Sequence, residues 1–226
     1  MKPLTEKHLA ILRRHMVEMI DLHYDLAEEE IGKGTLSPRL REALLDVPRH
    51  LFVPAQIAGA AYQDTPLPIG FDKTVSQPFI GALMLDLLEV EPGQRVLEVG
   101  TGLGYQAAVL AQLGVEVWSV EIDEEFANAA TTRLSALGYA NVTIRVGDGS
   151  RGWADHAPFH RILVTAAAKE PPAALLEQLD ADGRMVIPIG PEGEVQQLSV
   201  VGRNRDEGGE TRAVMPVRFT QLETMA

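Results

Sequence analysis

The spacing of apolar and polar residues predicts helices in the first part of the chain and alternating strands and helices after it. Leu9, Met16 and Ile20 recur at the spacing of one helix face. Ser37 followed by Pro38 is typical of a helix start, with Ser37 as the N-cap and Pro38 at the first helical position. The helices predicted in this part span residues 5–31, 38–46 and 79–88.

Residues 48–54 and 61–70 form a proline-punctuated segment that is too apolar for a flexible linker and leads into residues 71–78. Loops of this length inside a compact domain are usually functional or disordered, and the apolar Phe52, Tyr62 and Leu67 favour a functional one. Thr74 and Ser76, in the stretch that follows it, are of the residue types that cap helices, so capping alone could explain them.

From residue 95 onward the pattern alternates between strand and helix. Such alternation predicts an α/β fold, with a doubly wound, mostly parallel sheet that binds its ligand at the carboxyl ends of the strands. Two last runs, residues 197–201 and 214–219, look antiparallel and are joined by a polar loop, 202–211. The preceding predicted strands are 96–99, 116–120, 142–146, 161–165 and 184–189, with helices at 105–113, 123–137 and 173–179.

A glycine-rich turn, Gly100-Thr-Gly-Leu-Gly104, joins the first of these strands to its helix. Such glycines let the backbone approach a ligand, and the helix N-terminus offers unpaired N–H groups. A dinucleotide-binding turn has the pattern Gly-x-Gly-x-x-Gly, whose third glycine would fall at Tyr105. Glu98 also places a carboxyl group where it would repel a pyrophosphate. The turn therefore predicts a ligand other than a dinucleotide.

Glu121 ends the next strand and is placed to accept hydrogen bonds from both hydroxyls of a ribose. Glu98 suits the cationic amino-acid part of a ligand. A nucleoside joined to an amino acid without a pyrophosphate describes S-adenosylmethionine. The alternative is an ordinary strand–turn–helix connection, because a glycine-rich loop alone is weak evidence.

Composition narrows the class of protein. The net charge of -12 and the pI of 4.9 disfavour nucleic acid as a partner. There is no cysteine, which excludes disulfides and cysteine-ligated zinc, and His8, His15 and His23 lack partners at metal-ligand spacing. The start of the chain has no apolar signal core, and no run reaches membrane-spanning length. We therefore expect a cytoplasmic protein with no metal and no membrane contact.

Several segments between residues 47 and 219 resemble the protein-L-isoaspartate (D-aspartate) O-methyltransferase family. The glycine turn is common to methyltransferases, whereas Thr74-Val-Ser-Gln-Pro78 and the preceding Pro-Leu-Pro-Ile-Gly70 are specific to this family. The other matching segments are Val47-Pro-Arg-His-Leu-Phe-Val-Pro54, Gly147-Asp-Gly149, Gly152-Trp153, Ala157-Pro-Phe159, Val164-Thr-Ala-Ala167 and Val217-Arg-Phe219.

The resemblance implies a Rossmann-like class I methyltransferase with a seven-stranded sheet and an N-terminal helical cap. It implies one domain over residues 1–226, in which 1–92 form the cap and substrate-side loop and 93–226 the cofactor-binding sheet. The implied reaction is S-adenosyl-L-methionine-dependent methylation of the α-carboxylate of L-isoaspartyl residues in damaged peptides and proteins. The ester then leads to repair through a succinimide. We expect a monomer.

The resemblance also implies the site residues. Ser76 is the essential serine that orients the acceptor carboxylate, with Thr74 and Gln77 beside it on the substrate. Asp148 could be a simple turn residue, but after the third strand we interpret it as the acid that meets the adenine amino group. Because a carboxylate is already ionised at neutral pH, the reaction needs alignment rather than a general base. The implied cofactor-binding residues are Glu98, Gly100, Thr101, Gly102, Gly104, Glu121, Ile122, Asp148 and Gly149.

The chain departs from the family pattern at Asp72-Lys73, at Phe159-His160 and at Thr220-Gln221. These differences concern substrate preference more than reaction class. Two other functions stay open: a methyltransferase of the same fold that acts on a peptide natural product or a small-molecule acid, and a non-catalytic S-adenosylmethionine-binding protein. Ser76 beside a complete glycine turn argues against the second.

Overall fold

The computed structural model describes residues 5–71, 73–203 and 210–225. The chain divides into two compact units, Met1–Asp86 and Leu87–Ala226. The expected single domain with a cap that ends at residue 92 stays a prediction. Asp72 and residues 204–209, the centre of the predicted loop 202–211, lie outside the described residues.

The first unit consists of helices, a short antiparallel hairpin and, after the hairpin, most of a further helix, Pro78–Leu88. The helix predicted over residues 5–31 is interrupted at Ala27, whose backbone (φ -111°, ψ 20°) leaves the helical range. Ser37 stands at the N-cap position, but its side chain makes no capping hydrogen bond. The elements are α1 (Glu6–Leu26), α2 (Glu28–Ile31), α3 (Pro38–Asp46), two 3₁₀ turns (Arg49–Phe52 and Ala55–Ala60), β1 (Leu67–Gly70), β2 (Lys73–Val75) and α4 (Pro78–Leu88).

Helix α1 packs through a buried face and is tied to α4 by a polar contact. Met16, Val17 and Ile20 are buried on this face. The Tyr24 hydroxyl donates a hydrogen bond of 2.8 Å to Oδ2 of Asp86 in α4, and Lys33 forms an ion pair with the same carboxylate. Burial, the charge of Asp86 and this hydrogen bond all raise the pKa of Tyr24, so the phenol stays protonated and remains a donor.

The second unit is a seven-stranded sheet flanked by helices, as the sequence predicts. The strand order is β5-β4-β3-β6-β7-β8-β9, in which the first five strands are parallel and the last two antiparallel. The elements are β3 (Arg95–Val99), α5 (Tyr105–Gln112), β4 (Glu116–Glu121), α6 (Glu124–Ala136), β5 (Val142–Val146), β6 (Phe159–Val164), α7 (Ala173–Gln178), β7 (Leu179–Ile189), β8 (Gln196–Gly202) and β9 (Thr211–Val217).

Strand β7 begins five residues earlier than the sequence predicts. Asp182-Gly183 suggests a turn before a strand, but Leu179 is fully buried and pairs with Phe159. The register between β6 and β7 shifts between Phe159 and Arg161, so the residues around Gly183 form an irregularity within the strand. Long-range pairing has overridden the local turn preference.

The position of the candidate site follows from the strand order. The chain runs from β3 outward through β4 and β5, and then returns to pair β6 with the other side of β3. In doubly wound sheets, ligands bind where the order reverses, outside the carboxyl ends of the strands. No helix in the described part of the chain has the length and apolar character that a membrane span requires. Nor do residues 5–71, 73–203 and 210–225 contain a cluster of three or more possible metal ligands.

Candidate active site

The glycine turn follows β3 and has a backbone that side chains would not tolerate. Gly100, Gly102 and Gly104 all have positive φ, at 92°, 51° and 90°. A Cβ on Gly100 would lie 2.3 Å from Oγ1 of Thr165, the hydroxyl that donates to the carbonyl oxygens of Val99 and Gly100. Glycine at position 100 is therefore required both by conformation and by the close approach of β6.

Glu121, at the carboxyl end of β4, fastens this turn to the next strand. Its Oε2 accepts a hydrogen bond of 2.7 Å from the backbone N–H of Gly102, and its Oε1 accepts one of 3.1 Å from Asp123. Each carboxylate oxygen can accept two hydrogen bonds, so both keep capacity for another donor. The predicted ribose acid thus lies at the expected strand end. It also holds the glycine turn in place.

Glu98 lies in β3, fully buried, and belongs to a chain of polar groups. Its Oε2 accepts a hydrogen bond of 2.5 Å from the Ser119 hydroxyl, which lies 2.5 Å from the hydroxyl of Thr101. Burial raises the pKa of Glu98 to about 8, while the Ser119 hydrogen bond lowers it and the charge of Glu121 raises it further. The sequence argument treated Glu98 as a carboxylate anion. Burial favours the neutral acid instead, so the charge of Glu98 beside a ligand stays a prediction.

The surroundings of the second oxygen of Glu98 show whether the site suits S-adenosylmethionine. Glu98 Oε1 is buried and has no hydrogen-bond partner within the described residues. Such a group is costly unless a donor satisfies it, and an ammonium group would also stabilise the ionised form of the acid. Together with the open lone pairs of Glu121, this set of hydrogen-bond acceptors fits an amino-acid-bearing nucleoside. The assignment of Glu98 to the cofactor stays a prediction.

Asp148, directly after β5, is held by several groups of the chain itself. Its Oδ1 accepts from the backbone N–H and the hydroxyl of Ser150, at 2.9 and 2.6 Å, and its Oδ2 accepts from the N–H of Met225 at 3.1 Å. Arg151 adds an ion pair at 3.4 Å. Burial raises the pKa of Asp148, but the hydrogen bonds and Arg151 outweigh it, so the pKa lies below its usual value. Asp148 is ionised at neutral pH, with few lone pairs left for an adenine.

The remaining predicted cofactor residues lie near the same strand ends. Thr101 is buried in the turn, and Ile122 is half-buried between β4 and α6. A Cβ on Gly149 would lie 2.4 Å from Cγ1 of Val99, so packing already requires glycine there. The backbone N–H of Gly147 donates to the carbonyl of Glu121 at 2.8 Å. The ends of β3, β4 and β5 are thus brought together as predicted, while contact with a cofactor stays a prediction.

In the first unit, residues 74–77 lead from β2 into α4. Thr74 is exposed in β2 opposite Pro68, and Ser76 and Gln77 are half-buried. The Ser76 hydroxyl has no hydrogen-bond partner among the residues that the structure describes. The Gln77 side-chain amide donates to Oδ2 of Asp64 at 2.7 Å.

The capping interpretation of Ser76 is wrong. The N–H of Phe79 in the first turn of α4 donates to Oδ1 of Asp64 at 3.0 Å. Asp64 belongs to the loop before β1, so the capping group comes from far away in the sequence rather than from the preceding residues. The Ser76 hydroxyl therefore remains available for another partner.

Residues 22–225 match the sequence profile of the protein-L-isoaspartate (D-aspartate) O-methyltransferase family. The match includes the glycine turn, Glu121, Asp148 and Ser76. The chain belongs to this family.

Curated relatives agree with the assignment. The chain is 52% identical over 207 residues to protein-L-isoaspartate O-methyltransferase 2 of Polaromonas sp., covering 92% of this chain and 98% of that protein. It is 47% identical over 220 residues to protein-L-isoaspartate O-methyltransferase 1 of the same organism, with coverage of 97% and 93%. A solved structure described as protein-L-isoaspartate O-methyltransferase superposes with a TM-score of 0.78 at 27% identity, covering 92% of this chain and 65% of that one.

Three contacts of this methyltransferase were not predicted from its sequence. Ser119, the partner of Glu98, is a polar residue inside the apolar strand β4, and that exception to the pattern could have marked it. Asp64 accepts a hydrogen bond from Gln77, the neighbour of Ser76, and the Met225 N–H donates to Asp148. Both contacts join residues that are distant in the sequence. Nothing local in the sequence indicates either one.

Two of the three departures from the family pattern have a structural role in the second unit. His160 Nδ1 accepts from the N–H of Arg95 at 3.0 Å. Thr220 accepts from the N–H of Ala167 through its backbone carbonyl, and the Gln221 side chain donates to the carbonyl of Gly190 at 3.3 Å. The Thr220 contact uses main-chain atoms, so other residues could make it. The third departure includes Asp72, outside the described residues.

Proposed function

We propose that this protein methylates the α-carboxylate of L-isoaspartyl residues in damaged proteins and peptides, with S-adenosyl-L-methionine as the methyl donor. The chain is a protein-L-isoaspartate O-methyltransferase by family. The match over residues 22–225 carries the proposal, because it includes the cofactor turn and the family-specific Thr-Val-Ser-Gln-Pro segment.

The cofactor roles are assigned to the ends of the strands. Glu121 accepts hydrogen bonds from the ribose, Glu98 receives the amino group through Oε1, and Asp148 with Gly149 borders the adenine. Gly100, Thr101, Gly102, Gly104 and Ile122 shape the backbone around them. When bound, S-adenosylmethionine supplies a methyl group on a sulfonium sulfur, which a carboxylate oxygen can accept by in-line displacement.

The acceptor role is assigned to residues 74–77. Ser76 donates a hydrogen bond to the substrate carboxylate and fixes its direction, while Thr74 and Gln77 contact the peptide. The unpartnered Ser76 hydroxyl supports this role, because a donor free of internal bonds can bind a ligand without first breaking one. The acceptor is ionised at neutral pH and needs no base, so alignment supplies most of the acceleration.

The product explains the biological purpose. A methyl ester can lose its methoxy group, whereas a carboxylate would have to lose an oxide ion. The neighbouring backbone nitrogen can therefore attack the ester carbonyl, release methanol with the proton of that nitrogen, and form a succinimide. Hydrolysis of the succinimide returns part of the material as normal aspartyl peptide. The reaction thus begins the repair of aged protein.

We further propose a cytoplasmic monomer that binds no nucleic acid. The net charge of -12 supports both solubility as a monomer and poor binding to phosphate backbones. A chain without cysteine has no need of an oxidising compartment. Light scattering behind a sizing column tests the monomer, and a dimer mass would contradict it.

The decisive experiment offers radiolabelled S-adenosylmethionine with an isoaspartyl peptide and with its normal aspartyl twin. We expect label to be transferred to the isoaspartyl peptide alone and to be released as methanol in alkali, because methyl esters hydrolyse there. Equal labelling of both peptides would contradict the isoaspartyl specificity. Labelling of neither would favour the natural-product or small-molecule acceptor.

A further inference from the structure

Arg49 holds Ser76 from one side. This arginine is buried, with 2% of its surface exposed, in the 3₁₀ turn that follows α3. Its Nε donates to the carbonyl of Ala61 at 2.8 Å, and its Nη2 donates to the carbonyl of Ser76 itself at 2.6 Å. Charged donors make the stronger hydrogen bonds, so the backbone at Ser76 is firmly fixed to this loop.

Asp64 holds the other side. Its carboxylate accepts from the Gln77 side chain at 2.7 Å and from the Phe79 N–H at 3.0 Å. Nδ1 of His23 in α1 lies 3.1 Å from the same carboxylate but makes no hydrogen bond within the described residues. The His23 ring packs on Phe79, with 4.8 Å between the centroids. The residue after Ser76 and the start of α4 are therefore fixed to each other and to α1.

We propose that Arg49 and Asp64 are positioning residues for methyl transfer, which fix the backbone on both sides of Ser76 and so direct its hydroxyl at the acceptor carboxylate. This proposal rests on the acceptor role given to Ser76 above. The Ser76 side chain makes no bond of its own among the described residues, so its direction depends on these two neighbours. A hydrogen bond that aligns a reacting group loses its effect with small displacements, and supporting contacts prevent them.

A purely structural role for Asp64 predicts a different outcome, and Asp86 provides the matched control. Asp86 is equally an acid of the first unit, is buried, and accepts from Tyr24 and Lys33. It lies in α4 two turns beyond Phe79 and contacts neither Ser76 nor Gln77. Removal of either acid should lower the melting temperature, but only removal of Asp64 should affect the direction of Ser76.

The experiment is a double-mutant cycle between Asp64→Ala and Ser76→Ala, with Asp86→Ala as control. It measures kcat and KM on an isoaspartyl peptide well below each melting temperature, with calorimetry of S-adenosylhomocysteine. We expect Asp64→Ala to lower kcat/KM for the peptide about tenfold to a hundredfold. Cofactor affinity should stay within about twofold, and Asp86→Ala should keep peptide turnover within about twofold even though it melts earlier. The double variant should be no slower than Ser76→Ala alone, because Asp64 acts through Ser76.

Two further variants make the test robust. Asp64→Asn keeps an acceptor for the Phe79 N–H, and a flipped Gln77 amide can bond to the new amide nitrogen, so we expect most of the turnover to return. Arg49→Lys keeps the charge but replaces the fork of donors that reaches two carbonyls, so we expect a loss like that of Asp64→Ala. If Asp64→Ala does not fold, Arg49→Lys takes its place in the cycle.

The outcomes separate this proposal from the role of Ser76. Suppose that Ser76→Ala lowers turnover and that the double variant is slower still, by the product of the two single losses in kcat/KM. Ser76 then keeps its role, and the positioning proposal is overturned. Turnover of Asp64→Ala within twofold of the parent also overturns it. If Ser76→Ala itself keeps full turnover, the acceptor role of Ser76 fails, and the positioning proposal fails with it.

Discussion

Two glutamates near the ends of adjacent strands lie in different surroundings. Glu121 accepts hydrogen bonds from backbone N–H groups on both of its oxygens. Glu98 has one hydroxyl donor and is wholly buried, which favours the neutral acid. Sequence identifies both residues as acids near a ligand. It cannot distinguish their surroundings, because these depend on the burial and the hydrogen-bond donors that the fold supplies.

The raised pKa of Glu98 predicts a pH-dependent effect of Glu98→Gln. The folded pKa of about 8 lies above the reference value of 4.5. The contribution of Glu98 to stability is therefore complete below pH 4.5 and is lost as the pH rises towards 8. Glutamine has no proton to lose. The melting temperature of the variant relative to the parent should therefore rise between about pH 5 and pH 8, where one proton changes the free energy by at most about 1.4 kcal/mol per pH unit.

Thermal melts of both proteins across this range check the prediction. Glu116→Gln is the control, because Glu116 is an exposed residue at the start of β4. A difference between Glu98→Gln and the parent that is independent of pH would show that Glu98 is ionised in the folded protein throughout.

Glu121 should contribute to cofactor affinity both directly and through the glycine turn. Glu121→Ala removes the proposed ribose acceptor and frees the N–H groups of Gly102 and Asp123, so binding of S-adenosylmethionine should weaken by about 1–3 kcal/mol. Glu121→Gln retains one carbonyl oxygen and should lose less. Calorimetry checks both, with Glu124→Ala in the first turn of α6 as control. Unchanged affinity in Glu121→Ala would exclude Glu121 from the cofactor site.

At the scale of elements, the sequence predicts what depends on local pattern. The bounds of β5 agree with the prediction at both ends, and α4 differs by one residue. The β1–β2 hairpin and the early start of β7 were missed, because they depend on pairings such as Leu67 with Val75 and Leu179 with Phe159. The same reason explains why the cap of α4 was not predicted: it comes from Asp64, at a sequence separation of 15 from Phe79.

The glycine turn also packs against α6. A comparison of Gly104, where a Cβ would contact this helix, with Gly138, where a Cβ would contact nothing, tests how much that packing contributes to stability. Gly104 begins α5 with φ 90°, and a Cβ there would lie 3.1 Å from Cδ1 of Leu134 and 3.3 Å from Cβ of Ala130. Gly138, beyond the end of α6, has φ 83° with nothing within 4 Å of a Cβ. Alanine at 138 should cost about 1 kcal/mol for its backbone alone.

Alanine at 104 should cost the same plus a packing term of about 1–3 kcal/mol, because Leu134 and Ala130 must move. Denaturant unfolding of the two variants measures the difference. Equal destabilisation would mean that α6 yields to the new methyl group and that only the backbone conformation requires glycine at position 104.

At the scale of the whole chain, the C-terminal residues contact the end of the sheet where the proposed cofactor residues lie. Ala167, just beyond β6, is bonded on both sides, donating to Thr220 and accepting from Leu222. Gln221 donates to Gly190 after β7, and the Met225 N–H reaches Asp148 after β5. The tail thus joins the carboxyl ends of three strands. Sequence predicts the strands, but the tail has no periodic pattern and its contacts are mostly to main-chain atoms.

The last of these contacts predicts a stability difference between two substitutions at one position. Met225→Pro removes the N–H that donates to Asp148, whereas Met225→Ala keeps this N–H. Both variants lose most of the partly exposed methionine side chain, so the loss of side-chain contacts is similar in the two. The proline variant should be less stable at pH 7 by about 1 kcal/mol, the usual net value of a hydrogen bond. The pKa of Asp148 lies below its usual value, so its contribution is present above that value and is lost as the pH falls through the folded pKa. The difference between the two variants should therefore shrink as the medium is acidified, and denaturant unfolding at several pH values measures it. A difference that persists in acid would mean that proline acts by straining the tail rather than by depriving Asp148 of a donor.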